Sequence, residues 1–205
     1  MTISNSSVPA GIISAWDKAA TKCANPLGLD EKVLQDSLED CPPKEYEGGT
    51  FLGRFLIPRC FVVYDEQDQP RQKGCDSNHV TNLYNNYIVK EYMTTEEPPI
   101  ASFNDGVLNS SILKPHSGFN RYKALDRLGQ EIYIYDVYEF ESRYWEVIAA
   151  SASNHHSNPQ LSQTNEDYLK VVTNAVNAQI IPADEDSIRD FVNKIATDKT
   201  SQARK

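Results

Sequence analysis

Apolar positions near the start of the chain recur at helical spacing. Ile12, Ile13, Trp16, Ala20 and Cys23 fall three and four residues apart, which predicts a helix over about residues 9 to 23 with Pro9 tolerated in its first turn. Asp30 can cap a second, short helix whose inward side is Val33, Leu34 and Leu38, and Cys41-Pro42-Pro43 ends it. After Gly48-Gly49 the run from Thr50 to Asp65 is dense in aromatic and β-branched residues and reads as strand, with Pro58 at an edge or break because it cannot donate to a ladder. Val80, Leu83, Tyr84, Tyr87, Ile88 and Tyr92 return to helical spacing. Residues 94–118 hold paired prolines and Asn104-Asp105-Gly106, so they read as a long loop with a strand near Val107 to Leu113.

The stretch from Arg121 to Ala149 alternates strongly, and Asp126-Arg127-Leu128-Gly129 suits a three-residue hairpin turn with glycine in the left-handed position. That register sends Tyr122, Ala124, Ile132 and Ile134 inward, and Arg121, Lys123, Tyr133 and Tyr135 outward into water. Trp145, Val147 and Ala149 would add a third strand. Asp136 breaks the pattern, since it falls on the apolar side with Asn120 opposite. A carboxylate there must be paired, hydrogen-bonded or protonated, or mark the rim of the core. Residues 151–165 form a polar linker. Beyond it Thr164 or Asn165 caps a helix striped with Tyr168, Val171, Val172, Ala175 and Val176, and a last helix covers about 185–197.

The sum is an α+β fold, a mostly antiparallel sheet packed by N-terminal and C-terminal helices. Its expected divisions are a core over 1–150, the linker over 151–165 and a helical pair with a frayed tail over 166–205. A length of 205 residues and 40% hydrophobic content suffice for a substantial core. The net charge of −9 argues against bulk nucleic-acid or anionic-lipid binding. No apolar run approaches the length of a membrane span, and the start of the chain lacks an export signal, so the expected location is the cytoplasm, with signal-independent secretion as the alternative. The four cysteines are spaced too widely for a paired zinc arrangement and are expected to be reduced thiols, with two disulfides as the alternative.

Candidate chemistry centres on the basic stripe Lys114, Arg121, Lys123 and Arg127 beside His116. It supports a metal-independent hydrolase or transferase acting on a phosphate-containing substrate, nucleotide or RNA. His116, Arg121 and Asp136 would be catalytic, and Lys123, Tyr133 and Tyr135 would bind. The preferred reading asks for less chemistry: an acidic adaptor that meets a protein partner, or itself, through a tyrosine-rich sheet surface and its C-terminal amphipathic helices. No cofactor is implied. His155-His156 with Glu139 and Glu141 is the one metal-like grouping, and its adjacent histidines point apart, so no metal site is expected.

Overall fold

The computed structural model describes residues 7–64, 75–90, 92–104, 111–153 and 164–202. The order is α1 (Ala10–Ala20), α2 (Glu31–Asp40), β1 (Gly49–Pro58), a 3-10 turn (Arg59–Phe61), α3 (Ser77–Lys90), β2 (Ile100–Phe103), β3 (Leu113–Pro115), α4 (Phe119–Leu128), β4 (Ile132–Phe140), α5 (Arg143–Ser153), α6 (Asn165–Asn177) and α7 (Glu185–Gln202). The strands form one sheet in the order β1-β4-β2-β3. β1 pairs antiparallel with β4 and β2 antiparallel with β3, while β2 runs parallel to β4. The α+β class therefore holds, with a mixed rather than purely antiparallel sheet.

Period-two alternation sorts the sheet residues between two apolar layers. On one face Phe55, Ile57, Tyr133, Tyr135, Val137, Ala101 and Phe103 pack with Trp16 of α1, Tyr87 of α3, and Ala124 and Leu125 of α4. Trp16 anchors this layer: its ring lies edge-on to Phe55 and stacked over Phe103, and its Nε1 donates to the Ser111 carbonyl at 2.9 Å. On the opposite face Leu56, Ile132 and Ile134 meet Leu34 of α2, and Ile100 and Tyr138 meet Ala149 of α5. Asp30 caps α2 as expected, accepting from the Val33 amide at 2.9 Å. Helices α5, α6 and α7 build a further core from Ile148, Val171, Val172, Ala175, Phe191 and Ile195. Thr164 and Asp167 close a capping box at the start of α6. Lys194 of α7 lies over the Trp145 ring at 4.4 Å and pairs with Glu47 at 2.7 Å, tying the last helix to the turn before β1.

The hairpin expected over residues 121–149 is not formed. Phe119–Leu128 is helical, and Gly129, at φ 76°, terminates that helix instead of closing a hairpin turn. Paired as a strand, this segment would have turned Leu125 outward. As a helix it buries Phe119, Ala124 and Leu125 together, a larger apolar gain. Gly118 enters the helix at φ 79°, and a Cβ there would sit 2.5 Å from the Pro99 Cγ. The third strand is also a helix, α5, because Ile148, Ala149 and Ala152 share one buried side at helical spacing. The strand placed near Val107 to Leu113 is met at Leu113, where β3 begins, while residues 107–110 lie outside the described residues. Residues 151–153 of the expected linker end α5, and 154–163, with His155 and His156, also lie outside them. No helix among the described residues is long and apolar enough to cross a membrane.

Candidate functional site

Loss of the hairpin separates the residues first grouped at a phosphate site. Tyr133 and Tyr135 are 2% and 1% exposed, so the tyrosine-rich sheet surface is interior. Burial raises the phenol pKa of both well above its ordinary value. Arg121 lies in the first turn of α4 and turns back onto the preceding loop, with Nη1 donating to the Glu97 carbonyl at 2.7 Å and Nε 3.5 Å from Glu96. Lys123 is exposed on the same helix, and the four side chains share no solvent face.

Asp136 is buried and paired. It stands across from Arg54 of β1, not from Asn120, and the two side chains bond in two-pronged fashion, Nε to Oδ1 at 2.6 Å and Nη2 to Oδ2 at 2.8 Å. The second guanidinium nitrogen reaches the Ser37 carbonyl, which fastens α2 to the sheet. Burial pushes the Asp136 carboxyl up from the ordinary carboxylate range, and Arg54 pulls against that shift.

His116, 4% exposed, belongs to a different constellation. It follows β3, and its Nε2 lies 2.8 Å from Ser102 Oγ of β2 and 3.1 Å from Glu146 Oε1 of α5. Arg143 Nη1 donates to the same Glu146 oxygen at 2.5 Å. The Glu146 carboxylate therefore stands on the same ring nitrogen as Ser102, unlike a nucleophile–histidine pair, where the acid holds the opposite ring nitrogen.

In front of this network opens a cavity of about 500 Å³, lined among others by Ser102, Lys114, Tyr138, Glu139, Arg143 and Glu146. It lies at the carboxyl ends of the parallel strands β2 and β4, where the chain leaves the sheet for α5, the location at which open sheets of this kind bind ligands. Ser102 and Lys114 are direct cross-strand partners and share its floor. Of these residues the sequence reading had singled out His116 and Lys114 as part of the basic stripe and Glu139 only to set it aside. Ser102 and Glu146, 44 positions apart, carry no spacing signal that links them. Among the described residues there is no grouping of three or more metal-ligating side chains.

No protein-family model matches the sequence, and neither does any curated protein. Among solved structures, a Pnob8-like ParB-N domain is similar at a TM-score of 0.50 and 15% identity, covering 78% of this chain and 66% of that one. The chain has the ParB-N fold. A C-terminally truncated chromosome-partitioning protein ParB from Caulobacter crescentus, complexed with CTP-γ-S, aligns at a TM-score of 0.42 and 16% identity, over 74% of this chain and 79% of that one. Such low identity carries the ParB-N fold alone, and what the cavity holds has to be argued from its own walls.

Proposed function

We propose that this chain is a binding module on the ParB-N fold that takes a small polar ligand in the cavity between β2, β3, β4 and α5, and through it engages a protein partner. The observation that carries this reading is the cavity itself. Its volume of about 500 Å³ matches a small-molecule site, and its back wall is a hydrogen-bonded polar network. Partner binding through a tyrosine face is not part of the proposal, because those rings are interior. The apolar sides of α6 and α7 are largely engaged in cis with α5, so a partner would meet the cavity rim and the outer surface of the helices. The net charge of −9 argues against bulk nucleic acid as that partner, which a mobility-shift titration with duplex DNA at low salt tests.

A thermal-shift screen of small polar compounds on the wild-type chain and on Ser142→Trp tests the main reading. Ser142 is exposed on the cavity wall, and an indole there fills the opening. Compounds that raise the melting temperature of the wild type and not of the variant support the proposal. A full screen with no such difference refutes it.

One observation favours a second reading, a phosphate-containing ligand at the start of α4. Gly118 enters that helix without a capping side chain, and the amides of a first turn attract anions. His116 precedes it, with Arg121 and Lys123 in the helix itself, so the phosphate reading would survive at a different place. Arg121→Gln should then weaken saturable binding of inorganic phosphate, while Ser142→Trp leaves it intact.

A further inference from the structure

We infer that the ligand of the cavity is an organic cation, whose ammonium or guanidinium group is received by the carboxylates of Glu139, Glu141 and Glu146 beside the Phe140 ring. This deepens the cavity reading and rests on it. The cations of the wall are already engaged: Arg143 Nη1 donates to Glu146 Oε1 at 2.5 Å, and Lys114 is not without a partner either. The carboxylates are open. Glu139 and Glu141 are exposed at the mouth, with no hydrogen bond or ion pair among the described residues. Glu146 lies deeper, with 13% of its side chain exposed. Arg143, His116 Nε2 at 3.1 Å and Ser102 Oγ at 3.4 Å all meet its Oε1, so Oε2 takes none of these bonds and is the acceptor that the inner wall leaves to a ligand.

These carboxylates reach the cavity from different sides. Glu139 alternates with Tyr138 and Phe140 along β4, and the cavity opens around the end of that strand, where it meets side chains of both faces. Glu146 enters from α5. No three metal-ligating side chains gather among the described residues, so the arrangement does not suit a small metal ion that needs its ligands in one shell. It suits N–H donors that point in several directions from a carbon stem. The Phe140 ring lines the same wall, stacked with Tyr138 at 5.9 Å, and offers the stem an apolar surface and the charge a π-system. A ligand oxyanion would have to displace a contact of Arg143 or Lys114 and would meet Glu139 and Glu141 unfavourably, whereas an organic cation adds to acceptors that stand open.

The test is calorimetric titration of the full chain with four probes of one stem length: hexylamine, hexylguanidine, hexanoate and 1-hexanol. The expected result is that at least one of the two cations binds about tenfold or more tightly than hexanoate and 1-hexanol, and which of them does so distinguishes ammonium from guanidinium recognition. The double variant Glu139→Gln, Glu141→Gln should weaken that cation by about tenfold, and both side chains are exposed, so the fold is kept. Glu185→Gln with Asp186→Asn removes the same charge from α7, outside the cavity, and should leave the affinity within about twofold. An equal loss in the two double variants would assign the binding to the net charge of the chain and overturn the inference. An unchanged affinity in Glu139→Gln, Glu141→Gln overturns it too, as does 1-hexanol binding as tightly as the cations. If hexanoate is the tightest probe, or none of the four binds, while some compound distinguishes wild type from Ser142→Trp, the cation inference fails and the cavity reading stands. If no compound distinguishes those two proteins, both fail.

Discussion

Replacing Asp136 with alanine removes one half of a buried ion pair and strands the other. Arg54 and Asp136 are each 2% exposed, and the carboxylate takes two guanidinium hydrogens at 2.6 and 2.8 Å. The substitution leaves the guanidinium buried without its carboxylate, so the loss should match that of other broken buried pairs, about 3–5 kcal/mol. At a urea slope near 2 kcal/mol per molar, that moves the unfolding midpoint down by about 1.5–2.5 M. Equilibrium urea denaturation followed by far-ultraviolet circular dichroism is the assay, with Asp136→Asn as a milder variant that keeps one acceptor oxygen. The double variant Arg54→Met, Asp136→Leu removes both charges and fills their volume, and should recover most of the loss. A loss below about 1 kcal/mol for Asp136→Ala, or a double variant no better than the single one, would refute the assignment of Asp136 as the anchor that holds β4 to β1 and, through Ser37, to α2.

Three further outcomes are expected. Gly129→Ala meets no neighbouring atom but must hold φ 76°, so it should cost about 1–2 kcal/mol, while Gly118→Ala adds a clash with the Pro99 ring and should cost clearly more by the same denaturation assay. Tyr133→Phe deletes a buried hydroxyl with no hydrogen-bond partner among the described residues and should be neutral or slightly stabilising, whereas Tyr138→Phe loses a 2.7 Å bond to the Lys44 carbonyl and should cost about 1 kcal/mol. Cys23, Cys41, Cys60 and Cys75 form no disulfide in the structure; a thiol count on denatured protein from its native source should give four, and a count of zero or two would contradict it.

Elements bounded by caps and prolines were legible in the sequence. α1, α2, α3, α6 and α7 stand close to their expected places, and Pro58 ends β1 where its missing donor required. The errors share one physical cause, which is that a short segment can carry two periods at once. Tyr122 and Ala124 alternate with Arg121 and Lys123, but Phe119, Tyr122, Leu125 and Leu128 also recur every three residues, and the tertiary gain went to the helix. Gly129 fits a left-handed position in either structure, so the residue that looked most decisive was neutral between them. β2 was missed because four residues behind Pro98-Pro99 are too few to show a period. The site was less legible than the fold. His116 was singled out for its titratable ring, but its partners come from β2 and α5, and only the sheet order brings Ser102 and Glu146 to it. Arg54 and Asp136, 82 positions apart, met across a strand pair that the expected hairpin had assigned elsewhere.

The most direct test of the cavity assignment is an amide nitrogen–proton correlation spectrum of the labelled chain, titrated with the compound that gives the largest thermal shift. The account predicts saturable changes grouped at Ser102, Lys114, Tyr138, Glu139, Arg143 and Glu146, all absent in Ser142→Trp. Changes grouped instead at Gly118 to Lys123, or over α6 and α7 with the cavity residues unmoved, would contradict it.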